Sequence, residues 1–282
     1  MKSAASRDRQ GHRVARQKPK RSYRAVIEAL RQVWSIEAVP DAEAIWRLGT
    51  PELDAFAPER IRVAVWNLCK GAGGHLFEHD YRTLCYRSDL ILTQEALLSR
   101  RSIRTFCERG FETLHAASYM RRDGLRDGVM TVARAASEEP VIRVICKYPE
   151  PLLKTPKAAL MKFFRIKGHS ERLLVINVHA TLIRRKSAAI EEMEHLLSFV
   201  PEHRGPIIFA GDFNTFTAGY LQAIAPVLGR FGLRYVEIPN DPRPATQCLD
   251  QVFCRGLTPT NVHIDTTIRN SDHFPILANF AL

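Results

Sequence analysis

The sequence predicts a layered α/β protein with more than one β-sheet, and three observations lead there. From residue 61 onward, short runs rich in Val, Ile, Leu and Phe recur, each closed by turn residues or by a helical stretch. Ten or so such strands alternating with a few helices imply more than one sheet. A hydrophobic content of 45% over 282 residues is enough to bury a large core.

In chain order, residues 1–24 hold nine Lys and Arg against Asp8 alone and read as a disordered basic arm. Residues 25–59 read as a helix and a connecting segment. Val26, Ile27, Leu30, Val33 and Trp34 fall at helical spacing within 23–34, and the connection covers 41–53. The main domain is expected over 60–282. Strands are predicted at 61–66, 89–93, 128–134, 141–147, 158–166, 172–178, 206–210, 249–253, 261–265 and 275–280. Helices are predicted at 76–87, 99–109, 187–200 and 218–228, the last interrupted by Pro226.

The formal charge is +11, of which the arm supplies +8. Such an arm raises the local concentration of a polyanion such as nucleic acid or an anionic lipid surface; the plain alternative is a solubilising tail. The six cysteines include no C-x-x-C pair, which argues against a zinc knuckle and a redox motif and fits a reducing compartment. No run approaches the roughly 18 apolar residues of a membrane span, and no apolar segment follows the basic N-terminus. A soluble, cytoplasmic, monomeric chain is expected.

Polar residues that bind metals or move protons close one predicted strand after another: Asn67, Gln94-Glu95, His179 and Gly211-Asp-Phe-Asn214, while Ser271-Asp-His273 precedes a strand. Taken singly, each has an ordinary explanation as a turn residue, a cap, a core histidine or an arginine partner. Five in this order, at strand ends that share one edge, point instead to a common site, because buried carboxylates and amides need partners.

Through Val65-Trp-Asn67, Leu92-Thr-Gln-Glu95, Asp127-Gly-Val-Met130, Asn177-Val-His179, Gly211-Asp-Phe-Asn214, Leu249-Asp-Gln-Val-Phe253 and Ser271-Asp-His-Phe-Pro275, the sequence resembles the endonuclease/exonuclease/phosphatase superfamily. Within it, the bacterial YafD-like members are most similar, sharing a Gly-Val-Met stretch and a lysine segment like Pro156-Lys157-Ala-Ala159. The resemblance covers about residues 60–282. It implies a deoxyribonuclease I-like four-layer α/β/β/α sandwich of two mixed β-sheets with helices outside, and an active site at one edge. It also implies Glu95 as the principal Mg²⁺ ligand, Asn67 beside it and Asp272 reaching the ion directly or through water, with Mn²⁺ as a substitute. Hard oxygen donors suit that ion.

Hydrolysis of a phosphate ester needs in-line attack by water, with cations and donors around phosphorus. Asp212 is the candidate base; Asn214 and His179 are candidate donors to the non-bridging oxygens. Asp250 is expected to hold His273 protonated, so that it stabilises charge in the transition state. Arg121, Arg122 and Arg126 before Gly128, and Arg184, Arg185 and Lys186 after His179, form a cationic rim if both loops border the site. Lys157 is a further candidate for the substrate phosphate.

A nuclease on DNA or RNA is the first reading. A phospholipid or sphingolipid phosphodiesterase is the second, a small-molecule phosphatase the third, and a non-catalytic nucleic-acid-binding module the remote alternative. Tyr119 matches the tyrosine of abasic-site endonucleases on position alone, so abasic specificity is not implied.

Overall fold

Alternation of burial along the strands decides how the layers stack. A computed structural model describes residues 36–282 other than 72, 73, 100, 101, 152, 216 and 245–248; the basic arm and the helix expected over 23–34 lie outside the described residues.

Among the described residues, one eight-stranded sheet runs in the order β1 (Ile36–Glu37), β5 (Glu112–Arg121), β6 (Arg126–Ala133), β4 (Leu90–Leu98), β3 (Ile61–Asn67), β14 (Ile276–Ala281) and β13 (Thr258–Ile264), with β2 (Ile45–Leu48) also on β5. A six-stranded sheet runs β11 (Arg234–Tyr235), β12 (Asp250–Arg255), β10 (Ile207–Asp212), β9 (Leu173–His179), β8 (Ala158–Phe164) and β7 (Ser137–Ile145). Both are mixed: β3 is parallel to β4 and β9 to β10, while their other neighbours are antiparallel. The helices are α1 (Gly74–Arg87), α2 (Ile103–Phe106), α3 (Lys186–Leu197) and α4 (Ala218–Arg230).

In β3, Ile61, Val63 and Val65 join Val175 of β9 and Ile208 and Ala210 of β10 in a core between the sheets. The alternate residues Ala64 and Trp66 join Phe77, Tyr81 and Leu84 of α1 on the outer face. On the far side, Leu174, Ile176 and Phe209 pack with Met193 and Leu196 of α3 and Val227 and Leu228 of α4. The four expected layers are therefore present, each apolar face covered by the next. No helix among the described residues is long and apolar enough to cross a membrane.

Several elements differ from expectation, three of them near the site or its supporting sheet. β5 was not anticipated, because its ten residues include few branched side chains, yet eight of them are buried. Part of the segment read as a connection, Ile45–Leu48, is β2, paired antiparallel to β5. The helix expected over 99–109 shrinks to the four residues of α2. Ser99 and Ser102 accept each other's backbone N–H, at 2.7 and 3.0 Å, a local arrangement that competes with a longer helix.

Candidate active site

Where the inter-sheet core ends, the same inward strand positions turn polar. Asn67 continues the series Ile61, Val63, Val65; His179 follows Leu173, Val175 and Asn177; Asp212 follows Ile208 and Ala210; Asp250 precedes Val252 and Cys254. All four are buried. Period-two geometry thus carries four residues, distant in sequence, to one end of the sandwich.

Glu95 is brought there differently. The sequence reading ends its strand at residue 93, but β4 runs on to Leu98, and Glu95 lies inside it at a bulge between the Thr93 and Ala96 pairings, with φ +50°. Before the bulge Leu90 and Leu92 face the sister sheet; after it Ala96 and Leu98 face α1. The inserted residue switches the parity and leaves Gln94 and Glu95 both on the inner side, the re-aiming that bulges perform beside active sites. A non-glycine residue at positive φ is strained by about 1–3 kcal/mol and persists where its surroundings hold it.

That support is Asn177 on the opposite sheet. Its amide nitrogen donates to the carbonyls of Thr93 and Met130, at 3.1 and 2.9 Å, and its oxygen accepts from Gln94 Nε2 at 2.7 Å. Asn177→Ala removes these three buried hydrogen bonds and is expected to lower stability by about 2–4 kcal/mol, read as the urea midpoint; a change within about 0.5 kcal/mol would remove Asn177 from this role.

At the end of β10, Asp212 Oδ2 accepts from Asn67 Nδ2 at 3.0 Å and lies 3.6 Å from His179 Nε2, while Oδ1 accepts the Asn214 N–H at 2.9 Å. Asn214 sits at φ +51°, and its amide donates to Ala180 O at 2.8 Å. This is an Asx-type turn. Gly211 is required just before it: a Cβ there would lie 1.9 Å from Val178 O. Burial, then the neighbouring Asp250, raises the Asp212 carboxyl to about 6, against the pull of His273, the Asn214 N–H and Asn67. Burial, then Lys157 and Lys70, holds His179 well below its ordinary value, so its ring is neutral.

The loop carrying His273 is tied to the end of β3. Ser271 Oγ donates to Asn67 O at 2.6 Å and accepts from His273 N at 3.1 Å; Trp66 Nε1 donates to His273 O at 3.0 Å. His273 Nδ1 donates to Asp250 Oδ2 at 2.7 Å, as expected from the sequence. Burial lowers its pKa, but the bond to Asp250 and the charges of Asp250, Asp212 and Asp272 outweigh that and bring it to about 9. His273 is therefore an imidazolium at neutral pH. Arg243, which the sequence reading missed, is buried; it donates to Asp250 O at 3.2 Å and pairs with Asp241 at 2.8 Å.

Glu95 faces two lysines. Lys70 Nζ is 2.5 Å from its Oε2 and 3.8 Å from Asp127 Oδ2; Lys157 Nζ is 3.8 Å from its Oε1 and 3.6 Å from Glu150 Oε1. Tyr119 pairs across β5 and β6 with Asp127; burial, then Asp127, raises its phenol and keeps it protonated. Tyr119 thus lines the same cluster. Lys70 and Asp127 were not among the expected site residues; the signal for Asp127 was its place before Gly128, where a Cβ would lie 2.0 Å from Ala116 O.

The donors here suit a hard divalent cation. Glu95, Asp127 and Glu150 outnumber the two lysines, and the buried Asp127 Oδ2 has no hydrogen-bond partner among the described residues. Asp212, Asp250 and His273 also bring ligand atoms within 4.8 Å of one another. That trio is better read as an acid–base group, because an imidazolium already bonded to a carboxylate has no lone pair to offer a metal. Asn67, expected beside the ion, directs its amide nitrogen to Asp212 and its oxygen to the Cys69 N–H, so it links the two halves of the site.

Two rim expectations fare differently. Arg126 is the first residue of β6 and faces outward: it stacks 4.5 Å over Trp46 and donates to Glu43 O at 2.5 Å, so it is removed from the rim. Arg184 is exposed and, with Arg185, Lys154, Tyr148, Leu182 and Ile183, lines a groove of about 690 Å³. Glu150 lines the same groove, which therefore opens beside Lys157.

This fold and this convergence of residues mark out the candidate active site. The chain belongs to the endonuclease/exonuclease/phosphatase family, whose model matches residues 64–273, and it is thereby a hydrolase of phosphate esters. Among its relatives, a UPF0294 protein of Vibrio parahaemolyticus is 30% identical over 252 residues, covering 87% of this chain and 86% of the relative. A UPF0294 protein of Yersinia pseudotuberculosis is 30% identical over 274 residues, covering 93% and 99%. The crystal structure of an endonuclease/exonuclease/phosphatase from Beutenbergia cavernae superposes with a TM-score of 0.62 at 15% identity, covering 79% of this chain and 72% of that one. The resemblance and the sandwich expected from the sequence are both borne out.

Proposed function

We propose that the chain is a Mg²⁺-dependent phosphodiesterase that cleaves nucleic acid. The observation that best supports hydrolysis is Asp212, a carboxylate with a pKa of about 6, together with His273, an imidazolium to about pH 9, with their polar atoms within 4.8 Å of one another.

Asp212 accepts a proton from water as its oxygen bonds to phosphorus, and the ester oxygen opposite departs. His273, oriented by Asp250, donates from Nε2 to a non-bridging oxygen as negative charge grows there. Asn214 has a second amide hydrogen and His179 is a neutral ring; both supply donors to the same oxygens. Glu95 would hold Mg²⁺, with Asp272 and Asn67 beside it, and the ion would supply charge neutralisation at the phosphoryl group. Lys157, 3.6 Å from Glu150 at the groove's end, would meet a substrate phosphate.

The states of Asp212 and His273 require a bell-shaped pH dependence of kcat/KM. Activity is expected to rise as Asp212 loses its proton, at or below about pH 6, because a nearby dication lowers that limb further, and to fall as His273 loses its proton near pH 9. A rate that keeps climbing from pH 9 to 11 would remove His273 from this role.

Nucleic acid is favoured by the cations Lys154, Arg184 and Arg185 around the groove and by the +8 arm. A second reading, a phospholipid or sphingolipid phosphodiesterase, is favoured by the groove's apolar residues Leu182, Ile183, Pro149 and Pro151. Turnover of plasmid DNA, single-stranded RNA, sphingomyelin and inositol phosphates, each with Mg²⁺ and with EDTA, tests the choice. The nuclease reading expects Mg²⁺-dependent cleavage of a nucleic acid; hydrolysis of sphingomyelin or an inositol phosphate alone overturns it. Removing residues 1–24 is expected to weaken nucleic-acid binding and flatten its salt dependence.

A further inference from the structure

The charged groups at Glu95 include one that the reaction above does not use. Lys70 is held in a short left-handed turn: Cys69, Lys70 and Gly71 have φ of +46°, +60° and +69°, closed by Gly71 N–H donating to Leu68 O at 2.9 Å. Cys69 N–H donates to Asn67 Oδ1 at 3.0 Å, which fixes the turn to the end of β3. Left-handed backbone is unfavourable for residues with a side chain, and two such residues in succession persist only where the surroundings enforce them. The turn's result is definite: the Lys70 ammonium is set 2.5 Å from Glu95 Oε2, at the bulge residue that is itself at φ +50°.

We propose that Lys70 is a built-in competitor for the metal carboxylate: its ammonium holds Glu95 in the metal-free protein and lowers the affinity of that carboxylate for a divalent cation. The inference rests on the reading of Glu95 as the metal ligand. Its physical basis is that the two cations claim the same oxygen. Asp127, 3.8 Å from Lys70, offers the ammonium an alternative partner when Glu95 is taken, so exchange need not strand a charge. Lys157 differs, since it lies 3.8 Å from the other oxygen of Glu95 and is shared with Glu150. The consequence is that the metal concentration needed for half-maximal binding is set by Lys70, while the donor set is unchanged.

The test is direct Mn²⁺ binding, followed by electron paramagnetic resonance of the free ion, in the full-length wild type, Lys70→Gln, Lys70→Met, Lys70→Arg and Glu95→Gln, with circular dichroism confirming the fold of each. Loss of the ammonium in Lys70→Gln and Lys70→Met is expected to tighten Mn²⁺ binding by about tenfold or more, the change that corresponds to one ion pair of moderate strength. Lys70→Arg keeps a competing cation and is expected to stay near wild type. Wild-type affinity, or weaker, in both neutral variants overturns the proposal while leaving Glu95 as the ligand. Binding that is unaffected by Glu95→Gln, or absent throughout, rejects the metal reading and the proposal with it. Two neutral variants guard against one that fails to fold.

Discussion

Asp212→Asn is expected to lower kcat by at least about 10³-fold on any phosphate ester the protein cleaves, and to leave the melting temperature at or above that of the wild type. The rate loss follows from removing the group that accepts the water's proton, a contribution of about 10²–10⁴-fold, while the amide also weakens the field that keeps His273 charged. The stability half follows from burial. The folded pKa of about 6 lies above the ordinary 3.8, so the proton-bound form is favoured by the fold. Stability linked to this group is therefore present in acid and fades as pH rises through about 4 to 6, reaching a deficit of about 3 kcal/mol at pH 7. A neutral amide of the same shape removes that deficit and keeps an acceptor for the Asn214 N–H, which together offset the acceptor that Asn67 Nδ2 loses. Scanning calorimetry beside single-turnover kinetics checks both halves: a variant several degrees less stable would mean that Asp212 serves chiefly to hold the fold.

Glu95→Gln is expected to match that loss in rate, about 10²–10⁴-fold, for a different reason. The substitution keeps the side chain's length and the bulge beneath it but removes the charge that would hold a dication. Mn²⁺ binding separates the two variants. Asp212→Asn is expected to retain it, because Asp212 bonds to Asn67 and Asn214 and is not among the groups facing Glu95. Glu95→Gln is expected to lose it. Loss of binding in Asp212→Asn with retention in Glu95→Gln would place the ion at the Asp212, Asp250 and His273 group instead.

Much of the site could be read from the chain because its residues close inward-facing runs of strands. Asp212 and Asn214 are marked by Gly211, which a tight backbone approach demands, and His273 by the carboxylate and serine beside it. The remainder depended on features without a local mark. The bulge that turns Glu95 inward contains neither Gly nor Pro; it is specified by Asn177 on the other sheet, more than 80 residues away in sequence. Lys70 is a lysine in a loop until Glu95 and Asp127 are brought to it. Arg126 was misplaced by an error of two residues in where its strand begins: as a loop residue it would border the site, but as the first residue of β6 it takes the outward parity and meets Trp46. Strand β5 escaped because burial, rather than β-propensity, makes it a strand.

The central claim, that groups from both sheets act on a single phosphoryl centre, is tested most directly by release of p-nitrophenol from bis(p-nitrophenyl) phosphate. The release is measured with Mg²⁺ and with EDTA, in the wild type, Glu95→Gln and Asp212→Asn. Release that requires Mg²⁺ and falls at least about 10²-fold in each variant is expected, since one carboxylate comes from each sheet. Release that persists at the wild-type rate in both variants would contradict it.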